Sequence, residues 1–241
     1  MPDLDIAANL HAVHERMAAA CRRAGRDPDA VRLVAVSKRI PLARVTAGVL
    51  AGQLDLGENR IQDALSRQEE VAAALVPTAG ADAPTVRWHF VGHLQRNKAN
   101  KAAGRFALIH GVHSLDLAER LDRRATALGV VQPVLLQVNV TAEPRKDGLA
   151  ADAVVDVACR VSGLAGLQLG GLMCMARHGD PEPQLRHTFA RLRELRDAAA
   201  TACGQDLPEL SMGMSGDFEA AIAEGATLVR LGTAVFGPRE G

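Results

Sequence analysis

The chain has 241 residues, with lysine plus arginine equal to aspartate plus glutamate at 28 each. This balance leaves no net field to draw the protein to nucleic acid or an anionic membrane, so a small ligand is expected instead. The absence of tyrosine removes one class of acid–base catalyst.

The cysteines and the chain termini predict a cytoplasmic protein. Cys21, Cys159, Cys174 and Cys203 are widely separated and form no C-x-x-C pair, which favours a reducing compartment. The first residues show no basic patch followed by an apolar signal core, and no window has the roughly 18 apolar residues of a membrane span. The length matches one barrel domain over residues 1–241 rather than two ordinary domains.

The predicted elements begin with an amphipathic helix from Asp3 to Ala24, which Gly25 ends. Short apolar runs typical of buried strands follow at Leu33–Ser37, Gln53–Gly57, Trp88–Gly92, Leu108–His113, Val134–Val140, Leu167–Met173, Leu210–Met214 and Leu228–Gly232. Helical patterns separate them at Arg60–Leu75, Leu115–Leu128, Ala150–Val161, Pro183–Thr201 and Asp217–Ala223, with weaker ones at Pro41–Ala51 and Leu94–Ala103.

This alternation of strands and helices predicts an α/β protein with a parallel sheet. Eight strands favour closure into a (β/α)₈ TIM-type barrel with an extra N-terminal helix. A doubly wound open sheet is the alternative. The segment Pro77–Pro84 is predicted to be a surface loop within the domain.

Polar or reactive residues follow each strand, where a parallel barrel builds its active site. They are Ser37, Lys38, Glu58, Asn59, His93, Ser114, Asp116, Asn139, Met173, Cys174, the segment Ser211–Asp217, Arg230, Gly232 and Thr233.

Lys38 has two interpretations. It is either a solvated lysine at the rim of the sheet or an amine partly desolvated at the barrel mouth, whose neutral form attacks a carbonyl. Ser211–Asp217 and Gly232–Thr233 are either ordinary turns or small-residue segments whose backbone N–H groups suit a phosphate dianion. Because strand eight pairs with strand one on closure, the second interpretations together predict a ligand with an aldehyde and a phosphate.

The histidines predict no metal site. His89 and His93 share one strand and His110 and His113 the next, but no carboxylate–histidine pattern completes a ligand set.

Six separated motifs resemble one known family. They are Leu33-Val-Ala-Val-Ser-Lys38, Gly57-Glu-Asn59, Trp88-His-Phe-Val-Gly92 with Leu94-Gln95 and Asn97-Lys98, Gly171-Leu-Met173, Ser211-Met-Gly-Met-Ser215 and Val229-Arg-Leu-Gly-Thr233. Nearly end to end, the sequence resembles the pyridoxal-phosphate homeostasis protein family (YggS/PROSC), which is related to the barrel domain of alanine racemase. One departure is His93, where family members often have a proline.

The resemblance implies a fold type III barrel that binds pyridoxal 5′-phosphate. It implies a Schiff base on Lys38, Asn59 beside the cofactor ring, and Arg230 facing the pyridine nitrogen. Met214, Ser215, Gly232 and Thr233 complete the implied set, with the phosphate at the last three.

The implied function is to bind, buffer and deliver the cofactor, with apo-enzymes as recipients, a monomeric state and little or no catalysis. Racemases of the related family use a tyrosine supplied through a second domain and a partner subunit, and this chain has no tyrosine. Arg230 can only donate a hydrogen bond to the pyridine nitrogen, which withholds most of the electron sink that carbanion chemistry needs.

Three alternatives stay open on the sequence. The first is an active racemase or decarboxylase with Lys38 as its base. The second is a cofactor-free Schiff-base aldolase, and the third is a structural barrel in which Lys38 is solvated.

Overall fold

A computed structural model describes residues 5–79, 84–143 and 147–238. Its strands are β1 Arg32–Val36, β2 Asp55–Glu58, β3 Arg87–Phe90, β4 Leu108–Val112, β5 Gln132–Gln137, β6 Leu167–Met173, β7 Glu209–Ser211 and β8 Leu228–Leu231. Its α-helices are α1 Ile6–Arg23, α2 Leu42–Leu50, α3 Ile61–Ala79, α4 Ala99–Ala102, α5 Leu115–Ala127, α6 Val154–Ser162, α7 Glu182–Cys203, α8 Phe218–Ala223 and α9 Thr233–Phe236.

The strands form a closed parallel barrel in chain order, from β1 to β8. Ala35 of β1 shows the closure, because it is paired with Leu56 of β2 and with Leu231 of β8. The predicted barrel is therefore confirmed, and the doubly wound open sheet is wrong. The helices between the strands cover the outside of the barrel, which explains why the strands are buried on both faces.

Helix α1 lies outside the regular strand–helix repeat and packs against α8 and α9. Leu10, Val13 and Met17 form its buried stripe. Arg16 on its polar side donates to Glu219 of α8 at 2.6 Å and lies over the ring of Phe218. The predicted N-terminal helix is confirmed. Within the described part of the chain, no helix has the length and apolar character that crossing a membrane requires.

Several predicted boundaries are wrong, among them the start of the loop after α3 and the ends of β5 and β7. Helix α3 continues through residues 77–79, which the loop prediction for Pro77–Pro84 excluded; residues 80–83 lie outside the described ranges. Pro77 therefore lies within α3 rather than at the start of a loop. Strand β7 stops at Ser211 rather than Met214 because Gly213 adopts a left-handed φ of 93°, which a strand does not allow.

Candidate functional site

The end of β1 places Lys38 at the mouth of the barrel. Ser37, the residue before it, is fully buried and donates a hydrogen bond from Oγ to Glu58 Oε1 at 2.7 Å. After Lys38, Arg39 adopts a left-handed φ of 57° and the amide of Ile40 closes a turn onto the Ser37 carbonyl at 3.0 Å. This turn holds the backbone at Lys38, whose side chain is half-buried.

The end of β2 supplies Glu58 and Asn59 beside β1. Glu58 is buried, and this burial raises its pKa, although the hydrogen bond from Ser37 acts in the opposite direction. Asn59 is half-buried. A Cβ on Gly92 would lie 2.2 Å from the Asn59 carbonyl oxygen, so the loops after β2 and β3 approach each other as only glycine permits.

The segment after β7 forms a tight turn at the start of α8. Asp217 closes the turn by accepting from the Met214 amide at 2.5 Å. Within the described ranges, the backbone N–H groups of Ser215 and Gly216 have no acceptor. These two N–H groups remain for an anion, whereas the Met214 amide does not.

The end of β8 places Gly232 and Thr233 next to β1. A Cβ on Gly232 would lie 3.3 Å from the Val36 carbonyl oxygen, so the two chain segments nearly touch. Thr233 is exposed and begins α9, where the first backbone N–H groups of a helix have no intrahelical acceptor.

Arg230 is buried inside the barrel, with 5% of its surface exposed. Its Nη1 donates to Ser211 Oγ at 2.6 Å and its Nη2 to the Cys174 carbonyl at 2.9 Å. No carboxylate of the described residues forms an ion pair with it, so the simple pairing with Glu58 or Asp217 that a strand-end arginine could make does not occur. Because a guanidinium has five N–H donors and these two bonds use two of them, the buried Arg230 has donors left for a further acceptor.

The residues predicted to bind a ligand lie on one sector of the barrel. Lys38 follows β1, Asn59 follows β2, Met214 and Ser215 follow β7, and Arg230, Gly232 and Thr233 are on or after β8. These four strands are consecutive neighbours in the closed sheet. The closure therefore brings together the ends of segments far apart in the sequence.

Other strand-end residues lie apart from this sector. The rings of His93 and His113 stack with centroids 4.5 Å apart, and His93 pairs with Asp147 at 2.9 Å. Asn139 holds its own loop by donating to the Glu143 carbonyl at 2.8 Å. Among the described residues, no group of three or more histidine, cysteine, aspartate or glutamate side chains could hold a metal ion.

A buried polar cluster lies below Arg230 and was not predicted from the sequence. Ser211 Oγ lies 2.8 Å from His110 Nδ1, His110 Nε2 lies 3.0 Å from His89 Nδ1, and His89 Nε2 lies 2.9 Å from Asp55 Oδ1. Arg87 completes it with a two-point contact on Asp55 at 2.5 and 2.8 Å. The available signal was Asp55 itself, a carboxylate inside an apolar run that forms a strand.

A family model and a curated relative both match nearly the whole chain. The family model described as alanine racemase, N-terminal domain, matches residues 8–240. The pyridoxal phosphate homeostasis protein of Pseudomonas aeruginosa is 42% identical over 235 residues, covering 98% of this chain and 96% of the relative. The chain belongs to the pyridoxal phosphate homeostasis protein family.

Solved structures agree with the family assignment. PipY of Synechococcus elongatus, in a structure with PLP bound, is 38% identical and superimposes with a TM-score of 0.79 over 93% of this chain and all of PipY (100%). An alanine racemase of Clostridium difficile, at 14% identity and a TM-score of 0.72, covers 98% of this chain and is itself covered over 57% of its length. This second likeness shows a shared barrel fold. The resemblance seen in the sequence motifs is confirmed.

Proposed function

We propose that this chain binds pyridoxal 5′-phosphate as a Schiff base on Lys38 and acts in homeostasis of that cofactor by binding, buffering and delivering it. The observation that supports this most is the single sector formed by the ends of β7, β8, β1 and β2. It combines a half-buried lysine, backbone N–H donors and a buried arginine, which are the groups that an aldehyde, a phosphate and a pyridine nitrogen require. Family membership and the PLP-bound PipY structure support the same cofactor.

The phosphate end of the proposed site lies after β7 and β8. The Ser215 and Thr233 hydroxyls and the N–H groups of Ser215, Gly216 and Thr233 would donate to phosphate oxygens. Gly232 allows close approach of the backbone. Met214 would contribute contact rather than its N–H, since Asp217 already accepts from that group.

The ring end lies between Asn59 and Arg230. Arg230 has five N–H donors, of which Ser211 and Cys174 accept two, so donors remain for the pyridine nitrogen. When bound, the cofactor supplies an aldehyde that condenses with an amine and releases water. The Lys38 amine would provide the resting linkage, and free amines would compete for it.

We further propose that the chain is not an effective catalyst. It has no tyrosine to serve as a second base, and an arginine at the pyridine nitrogen disfavours the pyridinium that stabilises a carbanion. Apo-enzymes as recipients, one monomeric barrel domain over residues 1–241 and a cytoplasmic location complete the proposal. Turnover of a panel of L- and D-amino acids tests the racemase and decarboxylase alternatives. A colourless purified protein that reacts with a sugar phosphate would favour the aldolase.

Absorption spectroscopy of purified protein before and after borohydride tests the linkage. We expect a yellow Schiff base in the parent and in Lys101→Ala, an exposed control, and its loss in Lys38→Ala. Peptide mass mapping after reduction should place the label on Lys38. Covalent labelling of Lys38→Ala at Lys98 or Lys146 would show that the assignment is wrong.

A further inference from the structure

A continuous line of hydrogen bonds crosses the barrel interior from the start of β2 and β3 to β8. It comprises Asp55, His89, His110, Ser211 and Arg230, and each is 6% exposed or less. The consecutive heavy-atom distances are 2.9, 3.0, 2.8 and 2.6 Å. Burying these four polar side chains beneath Arg230 costs desolvation free energy that apolar side chains would not. The proposed cofactor contacts do not involve them and so do not explain why they are there.

The two ends of this line set its direction. Arg230 can only donate, so Ser211 Oγ must accept from it. Burial alone would raise the pKa of Asp55, but hydrogen bonds from His89 and Arg87 outweigh it and hold that pKa well below its usual range. Asp55 is therefore ionised at neutral pH and can only accept, which makes His89 Nε2 a donor.

The two histidines then have one arrangement with both rings neutral. His89 donates from Nε2, so its Nδ1 accepts from His110 Nε2–H. His110 Nδ1 in turn accepts the Ser211 hydroxyl proton. Burial, with smaller contributions from nearby charges, lowers the pKa of His110 well below its usual value, which agrees with a neutral ring. Every bond in the line then has one donor and one acceptor.

We propose that Ser211, His110, His89 and Asp55 are positioning residues, which form a one-way hydrogen-bond chain that fixes the Arg230 guanidinium for the cofactor's pyridine nitrogen. The last contact rests on the proposed function, whereas the direction of the chain does not. Ser211 would act directly on Arg230, and the other residues act by orienting the Ser211 hydroxyl. A Ser211 whose proton is donated to His110 always presents its oxygen lone pairs to Arg230.

Imidazole ¹⁵N NMR tests the direction in the unmodified protein, with and without pyridoxal phosphate. The one-way chain requires a proton on Nε2 and none on Nδ1 of both His89 and His110, and we expect this arrangement in both states. An Nδ1–H tautomer or a doubly protonated ring at either residue would overturn the one-way chain. This readout does not depend on whether the cofactor binds.

Paired variants test the effect on Arg230. Ser211→Ala removes the hydroxyl oxygen that accepts a hydrogen bond from the charged Arg230. We expect this variant to bind pyridoxal phosphate roughly tenfold more weakly and to have a shifted absorption maximum of the Schiff base. Ser211→Thr retains the hydroxyl and should restore both. In His110→Asn the amide lies where Nδ1 was, so it can still hydrogen-bond to Ser211. In His110→Gln the amide lies where Nε2 was, so it can bond to His89 but not to Ser211. We therefore expect the binding and the spectrum of His110→Gln to resemble those of Ser211→Ala more closely than those of His110→Asn do.

Gln132→Met is the control for loss of a buried polar side chain elsewhere in the barrel. Gln132 is 1% exposed and donates hydrogen bonds to the Phe106 and Pro133 carbonyls, away from the hydrogen-bond chain. The cofactor affinity and absorption spectrum of Gln132→Met should therefore equal those of the parent. Parent-like binding and absorption in Ser211→Ala would overturn the positioning role. Failure of the parent to bind the cofactor would instead refute the proposed function, and the NMR measurement would still decide the direction of the chain.

Discussion

Ser215 offers a hydroxyl and an N–H group at the same point of the turn after β7, and both would reach one phosphate. Charge-assisted hydrogen bonds contribute about 1.5–3 kcal/mol each. We therefore expect Ser215→Ala to weaken the binding of pyridoxal phosphate by roughly ten- to a hundredfold, as measured by fluorescence or absorption titration. Ser66→Ala removes a hydroxyl that bonds to Glu70 on α3 and should leave the affinity unchanged. An unaltered affinity in Ser215→Ala would remove Ser215 from the site.

Asp55 is the residue whose ionisation should be visible in the pH dependence of stability. Its pKa is lower in the folded state than in the unfolded chain. It therefore contributes stability that is present above its unfolded pKa of about 3.9 and is lost as pH falls towards its folded value. The parent should begin to lose stability below about pH 5 and should continue to lose it as the pH falls through 3.

Urea denaturation of Asp55→Asn across this pH range measures that contribution. The Arg87 side chain that pairs with Asp55 is half exposed, so solvent weakens the pair. We therefore expect Asp55→Asn to lower the free energy of unfolding at pH 7 by a modest amount, about 1–3 kcal/mol, and to make it depend less steeply on pH than in the parent. Asp152→Asn, at an exposed position, should follow the parent curve. An equally steep curve in Asp55→Asn would place the acid-sensitive group elsewhere.

At the scale of single elements, β6 depends on one glycine. The pairing of β5 with β6 shifts register between Val134 and Leu135, where Gly170 is the extra residue. Gly171 has a φ of 151°, and a Cβ there would lie 1.9 Å from the Glu209 carbonyl oxygen of β7. This glycine lets β6 bend while the sheet remains paired on both sides.

Gly171→Ala and Gly170→Ala form a matched pair for this bulge. The first introduces backbone strain and a clash, so it should lower the free energy of unfolding by about 2–4 kcal/mol. A Cβ on Gly170 would meet its nearest neighbour at an ordinary 3.6 Å, so the second change should stay within about 1 kcal/mol. Urea denaturation followed by circular dichroism compares them, and equal losses would show that the φ of Gly171 is not limiting.

At the scale of the whole molecule, the proposed cofactor would join both sides of the barrel closure. Lys38 follows β1 while Arg230, Gly232 and Thr233 lie on or after β8, and these strands pair directly. A ligand that binds only the folded barrel stabilises it by about 2.7 kcal/mol at a hundredfold excess over its Kd. For a chain of this size this corresponds to roughly 5–10 °C in Tm.

Thermal unfolding with pyridoxal phosphate, and with phosphate-free pyridoxal as the control, measures this stabilisation. We expect the full rise in Tm with the phosphorylated compound, and a smaller rise with pyridoxal because the contacts after β7 and β8 are unused. Lys38→Ala should gain less than the parent. An equal gain in that variant would mean that the link to Lys38 adds nothing to binding.

Much of this architecture follows from local pattern. Apolar runs of strand length alternate with helical periodicity, which requires parallel strands, and parallel strands place their C-terminal ends on one face. For this reason the pattern places Lys38, Asn59, Ser215 and Thr233 at one end of the barrel with the other strand-end residues, whereas the family resemblance selects them as the ligand-binding set. Boundaries were less predictable, since β7 ends at Ser211, two residues before the left-handed Gly213, and a glycine within an apolar run does not by itself fix its φ.

The interior hydrogen-bond chain could not be read from the sequence in the same way. Asp55, His89, His110 and Ser211 come from different strands, and His110 and Ser211 are 101 residues apart. Periodicity reports which face of an element is buried, but it does not report which buried polar groups meet across the barrel. Their pairing depends on strand order, register and closure together, and these arise only when the sheet folds back on itself.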